Sequence, residues 1–111
     1  MKIIGLIKEI YKRDDLPSVK DLIEECELED KAYILRYLQS CPVIAVAPGR
    51  VVDAITGGPI KGELKMHSDG EYAWRSDVIY YFERYNLKLD DAFLAKIRGK
   101  AQLFPNNEAE E

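Results

Sequence analysis

The hydrophobic residues of this chain change their spacing twice, and this change limits the folds open to it. Residues 2–40 place apolar side chains three and four positions apart, which is typical of amphipathic helices. Residues 43–74 contain short apolar runs and alternating stretches separated by glycine-rich turns, which is typical of strands. Helical spacing then returns as far as residue 98. Because helices and strands occupy separate parts of the chain, we predict an α+β fold.

Three helices are predicted in the N-terminal part. The first covers residues 2–13, where the apolar positions form a wide stripe. A short second helix covers residues 19–25, because Ser18 followed by Asp21 has the spacing of a capping box. The third helix covers residues 29–40 and ends before a proline.

The middle of the chain predicts an antiparallel meander of three or four strands. Segments of strand length cover residues 43–47, 50–55, 61–67 and 71–74. The last two are joined by Ser-Asp-Gly at residues 68–70, which is a strong hairpin signal. We therefore expect strands that follow one another in the chain to pair with one another.

Two C-terminal helices are predicted after the meander, over residues 78–85 and 92–98. Ser76 and Asp77 are expected to cap the first of these helices. Asn86 suits the left-handed residue that often ends a helix.

The length of 111 residues and the hydrophobic fraction of 47% indicate one globular domain, which we place at residues 1–104. The acidic residues 105–111 are predicted to form a disordered tail. Lys8 and Glu9 interrupt the first apolar stretch before it reaches the length of a signal peptide. No apolar run is long enough to span a membrane. We therefore expect a cytoplasmic protein that does not bind membranes.

Residues that commonly bind metals or carry catalysis are few. Cys26, Cys41 and the only histidine, His67, are too scattered for a structural zinc site. The glycines at 57–58 precede a proline and a strand pattern, unlike a phosphate-binding loop. Ser68 would point away from His67, which we expect to be an exposed strand residue. We therefore predict no metal, no cofactor and no enzymatic activity.

Negative charge is concentrated in one segment. Residues 14–30 contain eight acidic residues and one lysine, whereas the whole chain has a net charge of -4. One explanation is structural, because acidic residues favour helix N-termini and solvated helix faces. The other is functional, because a field of this sign speeds association with a basic partner. The predicted partner-binding residues here are Asp14, Asp15, Asp21, Glu24, Glu25 and Glu27.

Six of the eleven aromatic residues lie between positions 72 and 85. We expect Trp74 and Phe82 to enter the core, where a helix packs on the sheet. Tyr80 and Tyr81 are left as candidate surface anchors for a partner, because tyrosine brings a large contact area and keeps a polar tip.

Three stretches of this sequence carry a family resemblance: VIAVAPG at 43–49, SDGEYAWRSDVIYYFERY at 68–85 and LDDAF at 89–93. Across roughly residues 43–98 the chain resembles small immunity proteins of bacterial contact-dependent and polymorphic toxin systems. The resemblance implies a protein that binds and neutralises a cognate toxin domain. The matching stretches contain no catalytic motif, and the first 40 residues have no counterpart.

The leading function is therefore that of an immunity-type inhibitor that covers the active site or substrate groove of a toxin. A nuclease is the expected target, because nucleases need basic surfaces to hold phosphates. The alternative is a winged-helix-like DNA-binding regulator with a recognition helix at 30–40. Such a helix offers only Lys31 and Arg36 to phosphates, so nucleic acid is the disfavoured partner. The edges of the meander also leave a homodimer open.

Overall fold

The computed structural model describes residues 1–103 and confirms the mixed α+β class. Its elements, in chain order, are β1 Lys2–Ile4, α1 Lys8–Tyr11, α2 Lys31–Ser40, β2 Val43–Ala47, β3 Val51–Val52, β4 Pro59–Ile60, β5 Leu64–Ser68, β6 Tyr72–Arg75, α3 Ser76–Tyr85 and α4 Asp91–Leu103. The predicted tail at 105–111 lies outside the described residues.

A four-stranded sheet with the order β1-β6-β5-β2 organises these elements. β1 pairs with β6 in parallel, whereas the β6–β5 and β5–β2 pairs are antiparallel. β3 and β4 form a separate two-stranded sheet. The predicted meander is therefore correct for the β5–β6 hairpin but wrong for its second strand. Residues 48–63, which we call the arm, leave the main sheet between β2 and β5.

The prediction of three N-terminal helices is wrong. Residues 2–4 form β1, because the β-branched side chains of Ile3 and Ile4 favour a strand that pairs with β6. The helical spacing of the apolar residues does not exclude this pairing. Gly5 has a φ of +85° and ends the strand, so only the four residues of α1 remain helical. The second predicted helix is reduced to a single 3-10 turn at Val19–Asp21.

The turn at 68–70 and the helix end at Asn86 are confirmed. The Ser-Asp-Gly sequence forms the β5–β6 turn, with Gly70 at a φ of +99°. Asn86 ends α3 in the left-handed conformation, with a φ of 57°. α4 begins at Asp91, one residue before the predicted start, and runs beyond the predicted end at residue 98.

Trp74 lies at the centre of the core with no exposed surface. Its indole N–H donates to the carbonyl oxygen of Leu38 at 3.0 Å, and its ring lies 5.1 Å from that of Phe93. The ring of His67 is stacked parallel to it at 6.4 Å. The prediction of an exposed His67 is therefore wrong. Its Nδ1 lies 2.8 Å from the carbonyl oxygen of Cys41, so both its face and its polar edge are occupied.

The prediction that Ser76 and Asp77 cap α3 is also wrong, because Arg75 is the N-cap residue and Ser76 and Asp77 are already the first residues of the helix. The side chain of Asp77 has another role. It is instead buried against Arg75, whose Nη2 lies 2.9 Å from its carboxylate. The same guanidinium donates to the carbonyl oxygen of Ile10 at 3.2 Å and lies over the ring of Tyr11. Burial raises the pKa of Asp77 in spite of this cation. The pair thus joins α1 to the start of α3.

Gly5 provides a test of how β1 packs against α3. A Cβ at this position would overlap a methyl group of Val78, which is fully buried, and the positive φ adds backbone strain. We expect Gly5→Ala to lower the free energy of unfolding by about 3 kcal/mol, measured by urea denaturation.

Gly57→Ala is the matched control, because Gly57 has a φ of +81° but no atom near its missing Cβ. It should cost only the backbone strain, about 1 kcal/mol. Equal losses in the two variants would contradict close packing of Gly5 on Val78.

Candidate functional site

The acidic segment forms an irregular surface loop, residues 14–30, which we call the acidic loop. Its single regular element is the 3-10 turn at Val19–Asp21, where Ser18 accepts a hydrogen bond from the amide of Lys20. The helix predicted over 19–25 stops after this turn. Clustered like charges oppose a longer helix, and the backbone of Leu22 bonds to another part of the chain.

The first part of the acidic loop is bound to α1. Glu9 accepts hydrogen bonds from the hydroxyl of Ser18 at 2.5 Å and from the amide of Val19 at 2.8 Å. The amide of Lys8 donates to the carbonyl oxygen of Pro17 at 2.8 Å. Val19, which belongs to the loop, is itself fully buried in the core. The loop is therefore held in place at this end by a buried side chain as well as by hydrogen bonds.

The second part of the acidic loop is bound to the C-terminal end of α3. The amide of Lys88 donates to the carbonyl oxygen of Leu22 at 2.7 Å, and the amide of Glu24 donates to that of Tyr85 at 3.3 Å. The side-chain amide of Asn86 donates to the carbonyl oxygen of Glu24 at 3.3 Å. These bonds fix the backbone near Glu24 while leaving its side chain in solvent.

All six acidic residues predicted to bind a partner are exposed. Asp15 pairs with Arg13 at 2.6 Å, and Glu27 lies 3.7 Å from Lys31. The remaining four have no ion-pair partner among residues 1–103: Asp14, Asp21, Glu24 and Glu25. The loop therefore presents four exposed carboxylates that form no ion pair within the described residues.

The two tyrosines predicted as surface anchors both contact the arm. Tyr81 is only 1% exposed, so the prediction that it anchors a partner at the surface is wrong. Its hydroxyl accepts a hydrogen bond from the amide of Ala54 at 2.8 Å. Tyr80 is half-buried, and its hydroxyl donates to Asp53. Both side chains hold the arm against α3.

Asp53 is the centre of this attachment. Its carboxylate accepts hydrogen bonds from the hydroxyls of Tyr80 at 2.7 Å and Tyr85 at 2.6 Å. It also accepts from the amides of Ile55 and Thr56. Burial acts to raise the pKa of Asp53, but these four donors outweigh it and lower the pKa to about 2. Sequence reasoning missed this residue. The sequence placed it inside the predicted strand at 50–55, and nothing local identified tyrosines 27 and 32 positions away.

Two open clefts flank the arm. One, of ≈ 630 Å³, lies between the arm and α3 and is bordered by Ile60 and Tyr80. The other, of ≈ 680 Å³, lies between the arm and α1 and is bordered by Lys12 and Arg50. The buried Asp77 borders both. Both clefts mix charges of both signs, whereas the acidic loop carries almost one sign alone.

No group of three or more His, Cys, Asp or Glu side chains in the described part of the chain is placed to hold a metal ion. No helix within residues 1–103 has both the length and the hydropathy of a membrane span. Comparison with family models, with curated proteins and with solved structures found no match to this chain. The resemblance to immunity proteins therefore stays a prediction from the sequence motifs.

The contacts of Asp53 predict that attachment of the arm to α3 depends on the negative charge of its carboxylate. Asp53→Asn replaces a charged acceptor of two tyrosine hydroxyls by a neutral amide, and we expect it to cost about 2–4 kcal/mol in the free energy of unfolding at pH 7. Because the pKa in the folded protein is about 2 and that of an unfolded chain is about 3.9, this contribution is complete above pH ~4. It is lost as the pH falls towards 2. The difference between wild type and variant in urea denaturation should shrink over the same range.

Asp21→Asn serves as the control, since Asp21 is exposed and its side chain has no hydrogen-bond partner in the described residues. It should leave stability within about 0.5 kcal/mol of wild type. A loss in Asp53→Asn that is equally large at pH 7 and at pH 2 would contradict the role of the ionised carboxylate.

Proposed function

We propose that this chain is a protein-binding module of the immunity type, which captures a basic partner through its acidic loop. The observation that carries the proposal is a set of four exposed carboxylates that form no ion pair within residues 1–103, on a loop bound to the fold at both ends. In line with the sequence resemblance, the proposed partner is a bacterial toxin domain. A nuclease is the favoured class, because its phosphate-binding surface is basic.

Two physical effects support binding through this loop. The excess of acidic residues in the loop attracts a basic protein before contact and raises the association rate. The loop's hydrogen bonds to Glu9 and Lys88 order the backbone before the partner arrives. Less conformational entropy is then lost on binding. Inhibition by such a module consists of covering the partner's active site or substrate groove and needs no catalytic group of its own.

The DNA-binding alternative has weaker support. Its first helix would cover residues 19–25, where the chain makes only a 3-10 turn. Of the two cations on α2, Lys31 is directed to the carbonyl oxygen of Glu83 and to Asn86. This leaves Arg36 as the one exposed cation of the proposed recognition helix. Phosphate binding requires more cations than this.

The proposal predicts that charge reversal in the acidic loop slows capture of the partner. The double variant Glu24→Lys/Glu25→Lys should lower the association rate constant by about 10- to 100-fold at low salt, with a smaller effect at high salt. Tagged wild type and variant are first used side by side as baits in a lysate of the producing cells. The rate is then measured by stopped-flow mixing with the protein that wild type recovers.

The matched control is Glu63→Lys/Glu83→Lys. It changes the net charge by the same amount, at two exposed carboxylates outside the acidic loop. It should recover the partner and associate at nearly the wild-type rate. Equal slowing by both double variants would show an effect of net charge alone. Recovery of nucleic acid in place of a protein would contradict the proposed function itself.

A further inference from the structure

The two edges of the four-stranded sheet differ in how they are protected. β1 is three residues long and begins with a lysine, which are common devices against edge-to-edge pairing. β2 has five residues and no charge, and its apolar side chains are exposed: Val43 by 44%, Ile44 by 53% and Val46 by 53%. An uncharged apolar edge strand is a ready template for a further strand.

The backbone of β2 has groups free for such pairing. The amide of Ser68 donates to the carbonyl oxygen of Pro42, so Ser68 directs its polar groups towards β2. Backbone N–H and C=O groups of successive residues point to opposite sides of a strand. Lys65 lies three residues before Ser68, so its groups point away from β2, and its amide donates to the hydroxyl oxygen of Ser76. Val46 is the register partner of Lys65. Its N–H and C=O therefore point outward from the sheet edge.

We propose that β2 pairs antiparallel with the β2 of a second copy of this chain. The two four-stranded sheets then join across a two-fold axis into one continuous sheet. Pro42 and Pro48 flank the strand, so the pairing is limited to at most the same five residues in each copy. A register shift against β5 lies between Val43 and Ala45, so the regular part of the strand is Ala45 to Ala47. β2 contains no charged side chain, so pairing with its own copy does not bring like charges together.

The charges around β2 favour a second copy over the basic partner of the acidic loop. Lys65 lies beside Val46 and borders an apolar groove of ≈ 210 Å³ formed by β2, β5 and β6. Its charge repels a basic protein but not an uncharged strand. In the dimer the two Lys65 side chains lie three strand spacings apart, about 14 Å, where salt largely screens their repulsion.

The size of the contact sets the expected strength. Five residues bury much less than the ~800 Å² per partner of a standard stable interface. The dimer is therefore weak, with a monomer at about 1 µM and a rising dimer fraction towards about 1 mM. It does not depend on the acidic loop and can form whether or not the proposed partner exists.

Sedimentation velocity across this concentration range tests the pairing with two matched variants. Val46→Glu places a charge beside Lys65 in the monomer but against the apolar strand of the copy in the dimer. We expect its dimer dissociation constant to rise at least about tenfold. Val52→Glu makes the same change at a valine of similar exposure, 54%, in the arm. It should dimerise like wild type.

Amide hydrogen exchange of the wild-type protein gives a readout that needs no variant. The amide of Val46 should exchange rapidly at about 1 µM and become protected as the dimer forms. A wild-type chain that stays monomeric at about 1 mM would overturn the proposal. So would equal weakening by both glutamate variants, which would place the contact elsewhere, or a Val46 amide protected at every concentration.

Discussion

The burial of Trp74 is the constraint on which the arrangement of the other elements depends. This side chain belongs to β6, which lies between β1 and β5 in the sheet. Its indole N–H bonds to Leu38 near the end of α2, and its ring contacts Phe93 of α4 and faces His67 of β5. One residue thus connects two helices to the sheet. The chain passes directly from β6 into α3, so the position of α3 follows from the same residue.

α3 in turn positions the arm and the acidic loop. Its tyrosines hold the arm through the carboxylate of Asp53. Its C-terminal end and the residues after it bind the second part of the acidic loop. The loop and the β2 edge differ in chemistry, since one is strongly acidic and the other is uncharged and close to Lys65. This difference in chemistry is the reason why we propose different partners for them, a basic protein for the loop and a second copy for β2.

The features of this fold that could be predicted from sequence are those encoded over a few residues. The α2 and α3 helices, the Asn86 helix end and the β5–β6 turn each follow from local patterns. The first strand could not be predicted, because its apolar residues also fit a helix and only pairing with β6 decides between the two. The arm was missed for the same reason. Its attachment joins Asp53 to tyrosines about thirty positions away, and a period of apolar residues contains no information about such a contact. The exposed acidic residues could be predicted individually, but the bonds that fix their loop could not.

The most direct test of the acidic loop as the partner-binding surface is an NMR titration of the ¹⁵N-labelled chain with the protein that it recovers. The account predicts that the largest amide shift changes fall within residues 14–30, with a smaller response at high salt. Changes concentrated in β2 or along the clefts beside the arm, with the amides of residues 14–30 unmoved, would contradict it.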